Sequence, residues 1–219
     1  MKISSFSKTY QGRTVLQYPG GDFQPGTVYA VLGPNGSGKS TFAQVTAGII
    51  RPDRGAAVLE NAAIGYLPQN PYAFHRSVEK NILLGGEGTA AEKRGRALKL
   101  MDALSLTPLA SDSAASLSGG ETAKMALARQ LMKRYSLLIL DEPCAAMDMR
   151  SIRQAEDLIR EYVKETGCVL ILITHSFRQA ERISDEVLFF YDGRLLERGN
   201  TGQVLACPSS DVMREFLET

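Results

Sequence analysis

Short, almost entirely apolar runs alternate along the chain with longer segments that carry a single apolar stripe. Two of the runs, SLLILD at 136–141 and CVLILIT at 168–174, are continuous rather than alternating in polarity. Continuous apolar runs are typical of strands that are buried on both faces of a parallel sheet. Together with three similar runs, they predict β-strands at 27–32, 62–67, 136–141, 168–174 and 186–193.

Segment 151–165 has the pattern of an amphipathic helix. Its apolar residues fall on one stripe and its charged residues lie elsewhere, the stripe being formed by Ile152, Ala155, Leu158, Ile159 and Tyr162. Gly167 follows this segment, and a glycine just beyond a helix predicts its end. Because the helix connects two predicted buried strands, the order of elements favours an α/β fold.

The middle third of the chain has a different pattern. Between 77 and 134 no run indicates a strand, and helical stretches are interrupted by LLGGEGT and LTPLASDSAAS. We therefore expect a helical subdomain that is inserted into an α/β core. The expected organisation is a single domain over 1–219, with the core at 1–75 and 135–219 and the helical subdomain at 76–134. Near the end, Asp192-Gly193 between FFY and RLLERG predicts a hairpin turn.

Composition argues against a nucleic-acid-binding, a disulfide-rich secreted and a membrane-spanning protein. The 219 residues include 25 basic and 24 acidic side chains, a balance that gives no support for nucleic-acid binding. The three cysteines are odd in number and unpatterned, which favours a reduced cytosolic setting over a disulfide framework. The first ten residues lack the apolar core of a signal peptide. Because no apolar run is long enough to cross a bilayer, we expect any membrane role to depend on a partner.

The segment GPNGSGKST, Gly33 to Thr41, follows a predicted strand and begins a helix. This context is the one that a phosphate-binding loop requires. We refer to residues 33–41 as the phosphate loop, and expect the backbone from Asn35 to Thr41 to contact phosphate, through Asn35, Gly36, Ser37, Gly38, Lys39, Ser40 and Thr41. In this pattern Lys39 can reach the β- and γ-phosphate oxygens of a bound nucleotide, and the Ser40 hydroxyl can bind Mg²⁺.

The apolar run SLLILDEP ends in two carboxylates, Asp141 and Glu142. Successive side chains of a strand point to opposite faces, so the two residues cannot have the same role. We assign Asp141 to the Mg²⁺ side and Glu142 to polarising the attacking water. Without a phosphate loop in the same chain, a solvated acidic pair at a strand end would be the better interpretation.

A second phosphate-facing helix start is predicted at LSGGETAKMALARQ, 117–130. Here Ser118, Gly119 and Gly120 precede a helix, and the free N–H groups and dipole of a helix start attract anions. Ser118 and Glu121 also fit a capping box, in which the glutamate folds back onto the backbone N–H of the serine. One chain thus carries two predicted anion sites.

These motifs occur in a recognisable order: GPNGSGKST, Gln69 in YLPQN, LSGGE, LLILDEP, CAAMD, and His175 in LITHS. The set resembles the ATP-binding cassette (ABC) ATPases, the nucleotide-binding subunits of ABC transporters, over nearly the whole chain. The resemblance implies a phosphate-loop NTPase core with a mainly parallel sheet, an N-terminal antiparallel β subdomain and an inserted helical signature subdomain. It also implies two subunits arranged head to tail around two ATP molecules. Ser118 of one subunit then caps the nucleotide that the phosphate loop of the other subunit binds.

The resemblance assigns roles to four further residues. Tyr10 is similar to the aromatic residue that stacks on adenine, although a packed surface tyrosine remains an alternative. Gln69 is similar to the residue that contacts Mg²⁺ and senses the nucleotide. Asp148 is similar to an aspartate that lies across the dimer interface, or it caps the following helix. His175 is similar to the histidine that contacts the γ-phosphate and holds the water and Glu142.

The implied function is that of an ATPase that dimerises on ATP and drives solute transport through separate permease subunits. LPQNPYAFHRSVEKNI resembles importers of the tungstate or phosphate type, in which a solute-binding protein takes part indirectly. The expected location is the cytoplasmic face of the membrane. Tyr72, Phe74 and Val78 supply either a docking surface for the permease or a local core. Because a last helix is expected at about 210–219, we do not expect the regulatory domain that some importers carry.

Two rival classes remain open. One is an ABC ATPase without a transport role, of the DNA-repair or translation-factor type, but the coiled-coil insertion or second cassette typical of those proteins is missing from the sequence. The other is a small-molecule kinase built on a phosphate loop, which leaves LSGG unexplained. Glu121 departs from the family pattern, which usually has Gln. A carboxylate near an incoming γ-phosphate is expected to weaken binding.

Overall fold

The computed structural model describes residues 1–56 and 62–218. The described strands are β1 (Lys2–Ile3), β2 (Phe6–Tyr10), β3 (Arg13–Tyr18), β4 (Gly21–Asp22), β5 (Val28–Leu32), β6 (Arg54–Gly55), β7 (Ile64–Leu67), β8 (Leu137–Asp141), β9 (Val169–Ile173), β10 (Glu186–Tyr191) and β11 (Arg194–Asn200). The described helices are α1 (Lys39–Thr46), α2 (Val78–Leu83), α3 (Ala90–Ala103), α4 (Gly119–Leu131), α5 (Met149–Thr166), α6 (Phe177–Ile183), α7 (Thr201–Ala206) and α8 (Asp211–Glu218). Part of the expected core segment 1–75 and Thr219 of the expected last helix lie outside the described residues.

The main sheet has the strand order β6-β2-β3-β11-β10-β5-β9-β8-β7. The pairs from β10 through β5, β9 and β8 to β7 are parallel, whereas β2 pairs with β3 and β6 in antiparallel fashion. The strands β1 and β4 form a separate antiparallel pair. This arrangement confirms an α/β fold with a mainly parallel sheet and antiparallel strands near the N-terminus.

All five predicted strands are present. Every residue of β5, β8 and β9 is buried, as the continuous apolar runs predicted. The amphipathic segment forms α5, and Gly167 ends it in the left-handed conformation with φ 67°. The sheet thus has its centre inside the protein, and the carboxyl ends of its parallel strands lie along one edge, where α/β proteins bind ligands.

Helices occupy the middle third of the chain, as predicted. Buried side chains of α2, α3 and α4 share one apolar core with β8 and β9, including Ile82, Met101, Leu127, Leu138 and Leu170. On the opposite face of the sheet, Phe42 of α1 packs against the rings of Tyr18 and Phe190, at centroid distances of 4.9 and 5.2 Å. The core that α2, α3 and α4 share with β8 and β9 shows no break between the helices and the sheet. The subdomain boundaries at 76 and 134 therefore stay a prediction.

The predicted hairpin turn joins β10 to β11 and also contacts the phosphate loop. Asp192 and Gly193 both have positive φ, 43° and 72°, as a two-residue turn of type I′ requires. The N–H of Gly193 donates to the carbonyl of Ser37 at 3.2 Å, and its carbonyl accepts from the N–H of Gln17 at 2.7 Å. The turn therefore supports the phosphate loop from the side of β3.

Gly193→Ala is expected to lower the free energy of unfolding by about 1–2 kcal/mol more than Gly26→Ala does. Both glycines have a φ of 72°, so alanine has the same backbone strain at either position. A Cβ at Gly193 would lie 2.6 Å from the carbonyl oxygen of Val15, whereas one at Gly26 meets nothing within 4 Å. Urea unfolding of both variants measures the difference, and equal losses would contradict the close packing of this turn.

Candidate functional site

The phosphate loop connects β5 to α1 in tight contact with its surroundings. Gly33 has a φ of 143°, and a side chain there would overlap the carbonyl of Phe190. Only glycine therefore fits this position. Gly38 forms the N-terminal cap residue of α1. The hydroxyl of Ser37 is buried and has no hydrogen-bond partner within the described part of the chain.

Lys39 begins α1 and is directed back over the loop. Its Nζ donates to the carbonyls of Gly33 and Pro34, both at 2.8 Å, and the residue is only 6% exposed. Burial lowers the pKa of Lys39, and the carboxylates of Glu142 and Asp141 act in the opposite direction. The loop thus holds a cation close to its own backbone, at the place where phosphate groups are expected to bind.

Asp141 ends β8 and is almost fully buried. Its Oδ2 accepts from the hydroxyl of Tyr66 at 3.3 Å, and the nearby Ser40 hydroxyl acts to lower the pKa of the carboxyl. Burial raises the pKa of Asp141. Burial first, and then the Asp141 carboxylate, raises the pKa of Tyr66 to about 12. Sequence reasoning missed Tyr66; the signal is its place near the end of β7, which pairs in parallel with β8.

The donors around Asp141 fit a magnesium ion. Its Oδ1 is buried and has no hydrogen-bond partner among residues 1–56 and 62–218, and the hydroxyl of Ser40 is close to the same carboxylate. Over 1–56 and 62–218, no group of three or more His, Cys, Asp and Glu side chains is arranged to hold a metal. Magnesium suits such a site, because it takes one or two protein oxygens and completes its coordination with water and substrate phosphates.

Glu142 lies at the centre of the predicted catalytic residues. Its φ is +50°, a strained conformation for a residue with a side chain, and its N–H donates to the carbonyl of Ile173 at 2.9 Å. Oε1 is 2.5 Å from Nε2 of His175, and Oε2 accepts from Nε2 of Gln69 at 3.3 Å. The fold thus brings Gln69 and His175 to the two oxygens of one carboxylate.

The turn after β9 positions His175. Ser176 caps α6 by accepting from the N–H of Gln179 at 3.1 Å, and its own N–H donates to the hydroxyl of Thr174 at 3.1 Å. His175 therefore lies between two locally fixed residues, with its side chain 40% exposed. We call Lys39, Asp141, Glu142, Gln69 and His175 the phosphate-loop cluster.

Tyr10 lies at the end of β2 and is 46% exposed. The ammonium of Lys8 is 5.3 Å from the ring centroid and is 3.2 Å from the carboxylate of Asp53. Asp53 also accepts from the N–H of Thr9 at 2.6 Å, which fixes this end of the strand. In the described residues no hydrogen bond connects Tyr10 to the phosphate loop, so its proposed contact with adenine depends on the exposed ring alone.

Ser118 and Glu121 form the predicted capping box at the start of α4. The N–H and the hydroxyl of Ser118 donate to Oε2 of Glu121 at 2.8 and 2.7 Å, and the N–H of Glu121 donates back at 3.3 Å. These two donors of Ser118 lower the pKa of Glu121, the hydroxyl contributing most. The carboxylate is therefore ionised at neutral pH, beside the glycines that are expected to face phosphate.

The start of α4 lies against the segment that leads into α5. A Cβ at Gly120 would be 2.7 Å from the carbonyl oxygen of Ala146. Asp148 caps α5 by accepting from the N–H and the hydroxyl of Ser151 at 2.9 and 3.0 Å, so the interpretation of Asp148 as a helix cap is confirmed. We call Ser118, Gly119, Gly120 and Asp148 the signature cluster. Within the part of the chain that the structure describes, no hydrogen bond or ion pair joins it to the phosphate-loop cluster.

Lys124 is a charged neighbour of the signature cluster that sequence reasoning missed. It lies in α4, and its ammonium lowers the pKa values of both Glu121 and Asp148, although it is a minor cause in each case. Its position three residues after Glu121, on the same face of a helix, was the available signal.

The predicted apolar surface after Gln69 is only partly present. Tyr72 and Phe74 are exposed and their rings contact each other at 5.1 Å. Val78 is fully buried and belongs to the core. Of the two alternatives left open for Val78, the local core is therefore the one observed, because the first residue of α2 packs inward against the helical core.

Comparison with known proteins identifies the family. A family model described as ABC transporter matches residues 17–145. The molybdate/tungstate import ATP-binding protein WtpC of Archaeoglobus fulgidus is 35% identical over 209 residues, covering 90% of this chain and 87% of that protein. The phosphate import ATP-binding protein PstB of Aeropyrum pernix is 35% identical over 221 residues, covering 89% of this chain and 87% of that protein.

Solved structures agree with the fold. The structure of an ATP-binding subunit of an ABC transporter has a TM-score of 0.87 at 22% identity, and covers 99% of this chain and 98% of that chain. A protein from Clostridium perfringens that is part of an ABC transporter complex has a TM-score of 0.80 at 28% identity, covering 98% and 92%. Since the family model matches more than half of the chain and both sequence relatives align over most of it, this chain belongs to the ABC transporter family.

Proposed function

We propose that this chain hydrolyses ATP in an importer of a small inorganic oxyanion, with Glu142 as the residue that polarises the attacking water. The observation that carries the proposal is the contact of both Glu142 oxygens with predicted site residues, His175 at 2.5 Å and Gln69 at 3.3 Å. A carboxylate that is held in this way accepts a proton in a fixed position. Membership in the ABC transporter family supports ATP as the nucleotide.

Different residues of the chain bind the phosphates, bind the metal and activate the water. Lys39 and the phosphate-loop N–H groups hold the β- and γ-phosphates. Ser40, Asp141 and Gln69 would hold Mg²⁺, and the bound ion would neutralise charge that develops on the phosphate oxygens. Glu142 takes a proton from the water whose oxygen attacks the γ-phosphorus, and ADP leaves on the opposite side. His175 keeps Glu142 and the γ-phosphate in position.

The complete site is proposed to need two chains. The signature cluster has no described hydrogen bond to the phosphate-loop cluster of its own chain, although both present donors that suit an anion. In a head-to-tail pair, Ser118, Gly119, Gly120 and Asp148 of one chain complete the nucleotide site of the other, while Tyr10 stacks on adenine. Each chain then serves two nucleotides, as a two-fold axis requires.

The signature cluster can be placed across the dimer by crosslinking. We expect Asn35→Cys in one chain and Ser116→Cys in another to be joined by a bifunctional maleimide only when ATP is bound. Both chains carry Glu142→Gln to retain ATP, and Cys207→Ser, because Cys207 is exposed whereas Cys144 and Cys168 are buried. ADP and nucleotide-free samples are the controls. Crosslinks that never form between chains would overturn the paired site.

The transported solute and its direction are proposed from relatives. The sequence relatives described above are import proteins for molybdate or tungstate and for phosphate, and these solutes are oxyanions. In the described residues, no helix has the length and apolar character needed to span a bilayer. We therefore propose that separate permease subunits bring the chain to the inner face of the membrane. The docking surface includes Tyr72 and Phe74, and a solute-binding protein acts on the permease.

The permease assignment is tested by purification. A tagged chain isolated from detergent-solubilised membranes of its native host is expected to bring a multispan membrane protein with it. Reconstituted with that protein in vesicles, it is expected to hydrolyse ATP faster when tungstate or phosphate and its binding protein are added. Recovery of nucleic acid or ribosomal proteins in place of a membrane protein would favour the non-transport alternative.

Glu121→Gln is expected to strengthen ATP-dependent dimerisation about twofold to fivefold per site. The ionised Glu121 carboxylate is proposed to lie near the γ-phosphate of the nucleotide on the partner chain, and glutamine removes this repulsion while keeping an oxygen for the Ser118 N–H. Sedimentation of Glu142→Gln chains in ATP, with and without the substitution, measures the effect.

Glu92 provides a matched control for this experiment. Thr89 and Glu92 at the start of α3 form a second capping box with the same three distances of 2.8, 2.7 and 3.3 Å, outside both clusters. Glu92→Gln changes the cap of α3 in the same way as Glu121→Gln changes the cap of α4, and we expect it to leave the affinity of ATP-dependent dimerisation unchanged. An equal response of both variants, or none to Glu121→Gln, would reject the repulsion.

A further inference from the structure

Two adjacent residues near the end of α4 hold both ends of the segment that contains Gln69. Nε2 of Gln130 donates to the carbonyl of Tyr66 at 3.0 Å, and Nη2 of Arg129 donates to the carbonyl of Tyr72 at 2.8 Å. We call residues 66–72 the glutamine segment. Gln69 is the middle residue of this segment, and its side-chain amide donates to the carboxylate of Glu142. The segment is therefore attached to α4 on both sides of that contact.

Both attachments are themselves fixed by neighbouring groups. Oε1 of Gln130 accepts from the hydroxyl of Tyr135 at 3.1 Å, which orients its amide. Nη1 of Arg129 donates to Oδ1 of Asn81 at 3.3 Å, and Asn81 is fully buried. The guanidinium also lies 5.1 Å from the ring centroid of Phe74.

Arg129 contacts its neighbours through hydrogen bonds and not through ion pairs. Its described donors go to neutral oxygens, and no ion pair of Arg129 occurs within 1–56 and 62–218. Arg129 is partly buried, and its planar guanidinium presents several N–H donors in a fixed fork. Two of these donors reach Asn81 and Tyr72 at the same time, which points to a positioning role.

The same helix connects the two clusters of the site. α4 begins after Ser118 and has 13 residues, so it extends about 20 Å between the signature cluster and the glutamine segment. A rigid shift of α4 toward a nucleotide on the partner chain would therefore carry Arg129 and Gln130 along with Ser118.

We propose that Arg129 and Gln130 are positioning residues that transmit movement of the signature helix α4 to Gln69, and so set its contact with Glu142. The proposal rests on the proposed roles of Gln69 and Glu142. It makes engagement of one nucleotide site a condition for alignment of the other, through hydrogen bonds within a single chain. Neither residue belongs to the phosphate-loop cluster or to the signature cluster.

The test is a double-mutant cycle with Gln69. The variant Arg129→Lys/Gln130→Met keeps the charge, removes the attachment through Gln130, and replaces the planar two-donor fork of Arg129 by a flexible ammonium. We expect it to lower kcat about tenfold with the KM for ATP changed less than twofold, because the phosphate loop is not altered. In a Gln69→Ala background the same pair of substitutions is expected to lower kcat less than twofold, since the transmitted contact is already gone.

Arg96→Lys is the matched control. Nε of Arg96 donates to the carbonyl of Leu131 at 2.9 Å, so this substitution removes another arginine-to-carbonyl bond at the same end of α4 without touching the glutamine segment. Its kcat is expected to stay within twofold of the unsubstituted chain. A thermal melt of each variant, followed by circular dichroism, verifies that the chains compared are folded.

Three results would overturn the proposal: an undiminished loss of kcat in the Gln69→Ala background, an unchanged kcat for Gln69→Ala alone, or an equal loss for Arg96→Lys. If the paired variant does not fold, Gln130→Met alone is taken through the same cycle with the same criteria. Failure of the proposed function is recognised separately, because Glu142→Gln would then retain turnover whatever the cycle shows.

Discussion

Glu142→Gln is expected to lower kcat for ATP hydrolysis by at least about 100-fold while ATP still binds. Glutamine keeps the shape of the side chain and a hydrogen-bond acceptor, but it cannot take a proton from water. Because the γ-phosphate is then retained, chains that pair on ATP are expected to stay paired. Phosphate release measures the first effect, and size-exclusion chromatography in ATP measures the second.

Glu181→Gln is a suitable control for this variant. Glu181 is an exposed carboxylate on α6, the helix that follows His175, so its removal changes the charge of the region without changing the site. Turnover by this control should match that of the unsubstituted chain. A Glu142→Gln chain that hydrolyses ATP at the original rate would refute the role assigned to Glu142.

Lys39→Met is expected to weaken ATP binding roughly 100-fold, since hydrogen bonds to charged groups contribute about 1.5–3 kcal/mol each. Methionine has a similar length and fits the same buried space. The fold should not be weakened, because a buried ammonium is replaced by an apolar group. Isothermal titration with ATP and Mg²⁺ measures the affinity.

Lys80→Met removes an exposed ammonium from α2 and serves as the control for Lys39→Met. Its affinity for ATP should equal that of the unsubstituted chain. Binding by Lys39→Met within twofold of this control would show that the phosphate loop holds ATP through its backbone alone. Loss of binding together with a lower melting temperature would instead indicate damage to the loop.

The centre of the fold is predictable from sequence because its signals are local. β8 and β9 are buried on both faces and form uninterrupted apolar runs, and Gly167 and Asp192-Gly193 adopt the backbone conformations that their types favour. The strands β1 and β4 are only two residues long. They form because distant parts of the chain pair with each other, and no periodic pattern in the sequence predicts them.

The site is predictable only as far as its residues lie in motifs. Lys39, Asp141 and Glu142 are found by their sequence context, and their roles stay predictions. The contact of Gln130 with Tyr66 joins residues 64 positions apart, and no local pattern encodes it. For Val78 the sequence left both a core and a docking surface open, because an apolar residue at the start of a helix gives the same pattern whether it faces a core or a partner.

Because Glu142 has a left-handed backbone conformation, selection for folding and selection for ATP turnover favour different residues at this position. Glycine adopts this conformation without steric strain, and asparagine does so more readily than glutamate. Variants screened for folding alone are therefore expected to drift away from glutamate at this position, whereas variants screened for turnover keep it. A mutational survey that scores abundance and ATP turnover in parallel should find at position 142 substitutions that raise the first score and abolish the second.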